Sequence, residues 1–115
     1  MSYWVYLNGE DGEPVGVTNH SEGGTYAVGG IGLAELNVTY NYGPLIRKHM
    51  HRNGLRWLHG RKAVDCRERL SAAIAELGVE RAGDYWAATP GNAGQALATL
   101  LAWAESNPNA TFEVS

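Results

Sequence analysis

With 115 residues and a net charge of −3, the chain is read as one domain, 1–115, large enough for a single core without staples. It is 44% hydrophobic and 18% charged, with four Trp and six Tyr, which excludes a disordered chain. No run approaches the ~18 apolar residues of a membrane span, and the overall acidity argues against non-specific binding to nucleic acid.

In chain order, YWVYL (3–7) and PVGVT (14–18) have the composition of strands around the Gly- and Asp-rich turn NGEDGE. GGTYAVGGIG (23–32) predicts a short strand between glycine-rich turns. LNVTYNYGP (36–44) predicts a strand by alternation, with Leu36, Val38, Tyr40 and Tyr42 on one face and Asn37, Thr39 and Asn41 on the other. Pro44 suits the first position of a helix. One face of that helix carries Leu45, Ile46, His49, Met50 and Asn53, the other Arg47, Lys48, His51 and Arg52, and Gly54 stops it. Residues 55–59 read as a short strand or a helical turn.

Ala63, Cys66, Leu70, Ala73, Ile74 and Leu77 recur at helical spacing, and Gly78 closes that helix. A third helix opens at TPGN, with Thr89 as cap and Pro90 in the first turn. Its buried stripe is Ala93, Ala96, Leu97, Leu100, Leu101 and Ala104, and Asn107-Pro108 ends it; ATFEV (110–114) can return as a last strand. The expected class is α+β: a small antiparallel sheet of N-terminal strands, with a C-terminal strand as an option, packed by about three helices.

Most catalytic motifs fail. GGIG (29–32) lacks the third glycine and the parallel context of a dinucleotide loop, and there is no Walker loop. His49 and His51, two apart, point to different faces of a helix, and no Cys or carboxylate completes a ligand set; no metal and no cofactor is expected. Cys66 lies on an apolar stripe and reads as an inert buried thiol. A single cysteine excludes an internal disulfide, and MSYWVYLNGED lacks the layout of a secretory signal, so the expected location is cytoplasmic. His59 and Asp65 could pair across a turn, with no second feature in support.

Charge is segregated. Residues 1–46 contain five acids and no Lys or Arg, whereas RKHMHRNGLRWLHGRK (47–62) contains six of the nine Lys and Arg, three of the four His, and no acid. That segment is either a local positive field that attracts an anion or a solvated face balancing the acidic first third. The polar face Asn37, Thr39 and Asn41 has two readings as well. It is a solvated or backbone-satisfying strand face, or a set of neutral donors and acceptors suited to a nucleobase or ribose. Tyr42 and Trp86 read as core rings or as stacking platforms, and the amides at Gly91 and Asn92, at a helix N-terminus, suit a phosphate.

GGTY, LNVTYNYGP and DYWAATPGNA, in that order, resemble the pattern of a group of small, functionally uncharacterised proteins from bacteriophages, prophages and other mobile elements. The resemblance covers residues 3–105 and rests on Gly23, Gly24, Thr25, Tyr26, Asn37, Thr39, Tyr40, Asn41, Tyr42, Tyr85, Trp86, Thr89, Gly91 and Asn92. It departs from the pattern at Gly43, where relatives carry Ser, and in the strongly basic segment that follows. It implies a setting, interference with a host process such as antiviral signalling, rather than a reaction.

Residue chemistry adds a ligand class: a small polar anion, nucleotide-like, held by Asn37, Thr39, Asn41, Tyr42, Trp86, Gly91, Asn92, Arg47, Arg52 and Arg56. No nucleophile or acid–base pair is evident, which favours a binding protein over an enzyme. The alternatives are a small nucleotide-acting enzyme using His49, His51 or His59, and an inhibitor that contacts a host protein through its basic helix. Self-association is a further option, and no membrane partner is expected.

Overall fold

A computed structural model of the chain describes residues 2–17, 25–27, 32–84 and 87–115. The fold is α+β, a four-stranded antiparallel sheet packed by helices. The strands are β1 (Ser2–Asn8), β2 (Thr25–Ala27), β3 (Glu35–Thr39) and β4 (Thr111–Val114), in spatial order β2-β3-β1-β4. There are three α-helices, α1 (Gly43–His49), α2 (Ala63–Leu77) and α3 (Pro90–Ser106), with 3-10 helices at Tyr40–Tyr42 between β3 and α1 and at Gly54–Leu58 between α1 and α2.

Register explains the core. Val5 stands opposite Leu36 and Val114, and Leu7 opposite Phe112, so one face of the sheet is apolar. Against it pack Ile46, Leu55 and Leu58, Cys66 and Leu70 of α2, and Leu97 and Leu100 of α3, all buried. The other face carries Trp4 opposite Asn37 and Tyr6 opposite Glu35 and Glu113. Burial and then the two carboxylates raise the pKa of Tyr6, which holds its hydroxyl protonated.

Strands β1, β2 and β4 and the helices at 63–77 and 90–106 follow their sequence patterns; at the end of β3, at 14–18 and at the end of α1 the structure corrects the reading. Strand β3 stops at Thr39, because the Thr39 hydroxyl accepts the Asn41 N–H at 3.2 Å and caps a 3-10 turn. Tyr40, Asn41 and Tyr42 therefore leave the strand's alternation. PVGVT does not become a strand: among its described residues only Pro14 and Gly16 form isolated bridges, to Asn8 and Leu33. Pro14 lacks the N–H a ladder needs. Thr18 lies outside the described residues. Helix α1 ends at His49 rather than at Gly54, which instead opens the second 3-10 helix with φ +63. That settles residues 55–59 as helical turn, and Asn53 lies exposed in the turn beyond α1 rather than on the helix face with Ile46 and Met50.

Candidate functional site

Asn37 is 3% exposed, and its amide donates to Ser2 Oγ at 2.6 Å and to the Tyr3 carbonyl at 3.4 Å. Thr39 is buried as a cap, and Tyr42 is 0% exposed, with burial and then Asp84 pushing its hydroxyl up to about 12. The expectation that Asn37, Thr39 and Tyr42 present polar or stacking groups to a ligand is therefore overturned. A buried polar side chain on a strand satisfies its hydrogen bonds within its own sheet. Asn41 alone of that set is exposed.

The start of α3 is corrected in the same way. Thr89 caps it, accepting the Asn92 N–H at 3.2 Å, as the TPGN pattern predicts. Asn92 is 0% exposed. Its carbonyl accepts the Ala82 N–H at 3.0 Å, and its amide donates to the carbonyls of Asp84 and Ala87, each at 3.0 Å. A Cβ at Gly91 would fall on the Glu80 carbonyl, and one at Gly94 on the Gly78 carbonyl. The segment after α2 thus crosses α3 backbone on backbone, and Asn92 stitches it down. The space in which Gly91 and Asn92 were to receive a phosphate is filled by the chain itself. Trp86, and Tyr85 beside it, lie outside the described residues, as do Gly23 and Gly24.

The basic segment remains. Arg47, Arg52 and Arg56 are exposed, and among the described residues none of them, nor Lys48, has a carboxylate within 4 Å. Arg47 packs its stem against Gly54, and a Cβ at Gly43 would lie 3.0 Å from its guanidinium. Gly43 therefore leaves room for this arginine. Arg56 lies 5.8 Å above the Tyr3 ring, which meets Tyr40 edge-on at 4.5 Å.

Sequence reasoning missed the centre of this region, which is Trp57. Arg61 lies 4.3 Å and Arg69 5.0 Å from its ring centre, and His51 stacks on it at 5.5 Å. Arg61 also donates to the Trp57 carbonyl at 2.6 Å, and Arg69 to the Met50 carbonyl at 2.9 Å. Neither partner was readable from spacing, because Arg61 lies beyond the end of the 3-10 helix that holds Trp57 and Arg69 comes from α2. His51 Nδ1 accepts the Asn53 N–H at 3.0 Å. Desolvation, then Arg69, Arg52 and Arg61, lower its pKa, so the ring is neutral at physiological pH.

Trp57 also borders a cleft of about 540 Å³ against α2, lined by His49, Asp65, Glu68 and Arg69. His49 Nδ1 lies 3.0 Å from Glu76 Oε1, joining α1 to α2. His59 Nδ1 accepts the Val114 N–H, so this histidine fastens β4 rather than pairing with Asp65. Among the described residues no group of three or more His, Cys, Asp or Glu could hold a metal ion, and no helix is long and apolar enough to cross a membrane. No protein-family model, curated protein or solved structure matches the chain.

Proposed function

We propose that the chain is a phage-type binding protein that captures a small polar anion, nucleotide-like, on its basic segment and by doing so interferes with a host process such as antiviral signalling. The observation that carries the ligand class is the set of exposed cations that have no carboxylate partner among the described residues, Arg47, Lys48, Arg52 and Arg56, in the same chain segment as Trp57 with its Arg61 and Arg69 neighbours. Uncompensated positive charge on an acidic protein attracts anions, and aromatic rings with guanidinium groups suit a nucleotide. The phage setting rests on the ordered GGTY, LNVTYNYGP and YWAATPGNA motifs.

The test is mass spectrometry of small molecules released on denaturing protein purified at low salt from bacterial cells. A nucleotide recovered unchanged, and absent from an Arg47→Gln, Arg52→Gln, Arg56→Gln variant, supports capture. Recovery of nothing anionic from either protein sinks the reading. The enzymatic alternative has one supporting observation, the His49–Glu76 pair beside the cleft, where a carboxylate can orient an acid–base imidazole. Its signature is conversion of the nucleotide, abolished by His49→Gln.

A further inference from the structure

We infer that the outer face of the sheet docks the basic segment of a second copy of this chain, so that copies associate head to tail. The inner face of the sheet, with Val5, Leu7, Leu36 and Phe112, belongs to the core. Trp4 and Tyr6 of β1 stand outside that core, partly exposed on the opposite face. Register sets a carboxylate on each side of Tyr6, Glu35 on β3 and Glu113 on β4. Glu113 accepts from the Asn8 amide at 3.0 Å, and among the described residues neither carboxylate has a cation within 4 Å. Lys62, bridged to Thr111 across the edge of β4, brings one positive charge to that side. The exposed turn after β1 adds Glu10, Asp11 and Glu13, so the surface stays negative. Carboxylates beside partly exposed rings suit guanidinium groups, which pair with the first and lie on the second.

The chain itself carries the complement. Arg47, Lys48, Arg52 and Arg56 are exposed, and among the described residues no carboxylate lies within 4 Å of them. Their segment is held on the inner side of the sheet, where Ile46 and Leu55 enter the core and Arg56 lies 5.8 Å above the ring of Tyr3, itself packed on the core. Cations and carboxylates of one copy therefore sit on opposite sides of the sheet, and pairing them takes two copies. The two surfaces differ, so each copy keeps one of each open after pairing, and association grows head to tail rather than closing as a symmetric dimer. Solvent-exposed ion pairs make such a contact weak and sensitive to salt.

Sedimentation velocity of the full chain at low salt, read as average mass against protein concentration, tests this. The wild type is expected to grow beyond a monomer with concentration and to return to a monomer in about 0.5 M salt. Glu35→Gln, Glu113→Gln removes the acidic half of the contact, and Arg47→Gln, Arg52→Gln, Arg56→Gln the basic half. Each variant alone should associate at least about tenfold more weakly than the wild type. Mixed, they should form a one-to-one complex and nothing larger, because each brings the half the other lacks. Circular dichroism checks that both are folded, and Glu113→Gln alone, at an exposed position, repeats the acidic arm if the double variant misfolds. A wild type that stays monomeric at every concentration, association that either variant retains alone, or a mixture no heavier than its parts overturns the inference. Anion capture is read separately, by titrating inorganic pyrophosphate into the wild type, so either reading can fail without the other.

Discussion

Asn92 shows how much one side chain does inside the fold. Its carboxamide holds three backbone groups of the 82–87 segment, all at 3.0 Å, in a fully buried position. Asn92→Ala leaves the Ala82 N–H and two carbonyls without that partner, and an orphaned buried group costs about 1–3 kcal/mol. We expect a loss of about 3 kcal/mol in urea unfolding, with pyrophosphate affinity unchanged in the folded fraction. Gly91→Val is expected to prevent folding outright, since its Cβ would coincide with backbone. Pattern reading placed both residues at a helix start and stopped there, because the contact that uses them comes from backbone about ten residues upstream, and backbone leaves no mark in side-chain spacing. His51 adds a pH term of definite sign. Its folded pKa is lowered, so the unfolded state takes up the proton first, and this stability contribution is present above pH 6.5 and lost as pH falls below it. His51→Gln should show a shallower fall in melting temperature between pH 7.5 and 5.5 than the wild type.

Among the elements, α2 and α3 were legible because each buries a stripe at helical spacing, from Ala63 to Leu77 and from Ala93 to Ala104, with Gly78 as the stop of α2 and Thr89-Pro90 as the start of α3. Strand β3 was legible only to Thr39. Beyond it Tyr40, Asn41 and Tyr42 keep the alternating composition of a strand, but the Thr39 hydroxyl supplies a local partner that turns the chain. Thr39→Val removes that cap and should cost about 1 kcal/mol in thermal unfolding, with ligand affinity intact. The segment from α1 through the second 3-10 helix announced its charge but not its centre. Trp57 draws Arg61 from its own stretch and Arg69 from α2, and only the packing of the two shows that they share a ring. At this scale the cations should act together. The Arg47→Gln, Arg52→Gln, Arg56→Gln variant should fold normally, bind pyrophosphate weakly, and lose the salt dependence that the wild type shows. Unchanged affinity and salt slope would make the segment a solvated face.

Across the whole molecule, the sheet and the basic segment meet at β4. Its inner edge pairs with β1, Leu7 facing Phe112 and Val5 facing Val114, and Trp4 and Ser115 exchange backbone bonds at 3.0 and 2.9 Å. Its outer edge is occupied by the stretch that follows Trp57. Gly60 donates to the Phe112 carbonyl at 2.9 Å, Phe112 donates to the Arg61 carbonyl at 3.0 Å, and Val114 donates to His59 Nδ1 at 3.0 Å. Arg61, which lies on the Trp57 ring, is therefore carried by backbone bonded directly to the sheet. Such a strand cannot melt without releasing both neighbours, so the segment and the core should unfold as one cooperative unit. Phe112 is the place to test this, because its ring is buried and its backbone lies between Leu7 and residues 60–61. Phe112→Ala should cost about 3–5 kcal/mol through the cavity it leaves. Far-ultraviolet circular dichroism and tryptophan fluorescence should still give one shared urea midpoint, shifted downward in the variant. If fluorescence changed at lower urea than the dichroism, and that early phase were missing in a Trp57→Phe variant, the Trp57 region would be opening by itself. The link through β4 would then be too weak to hold the site to the sheet.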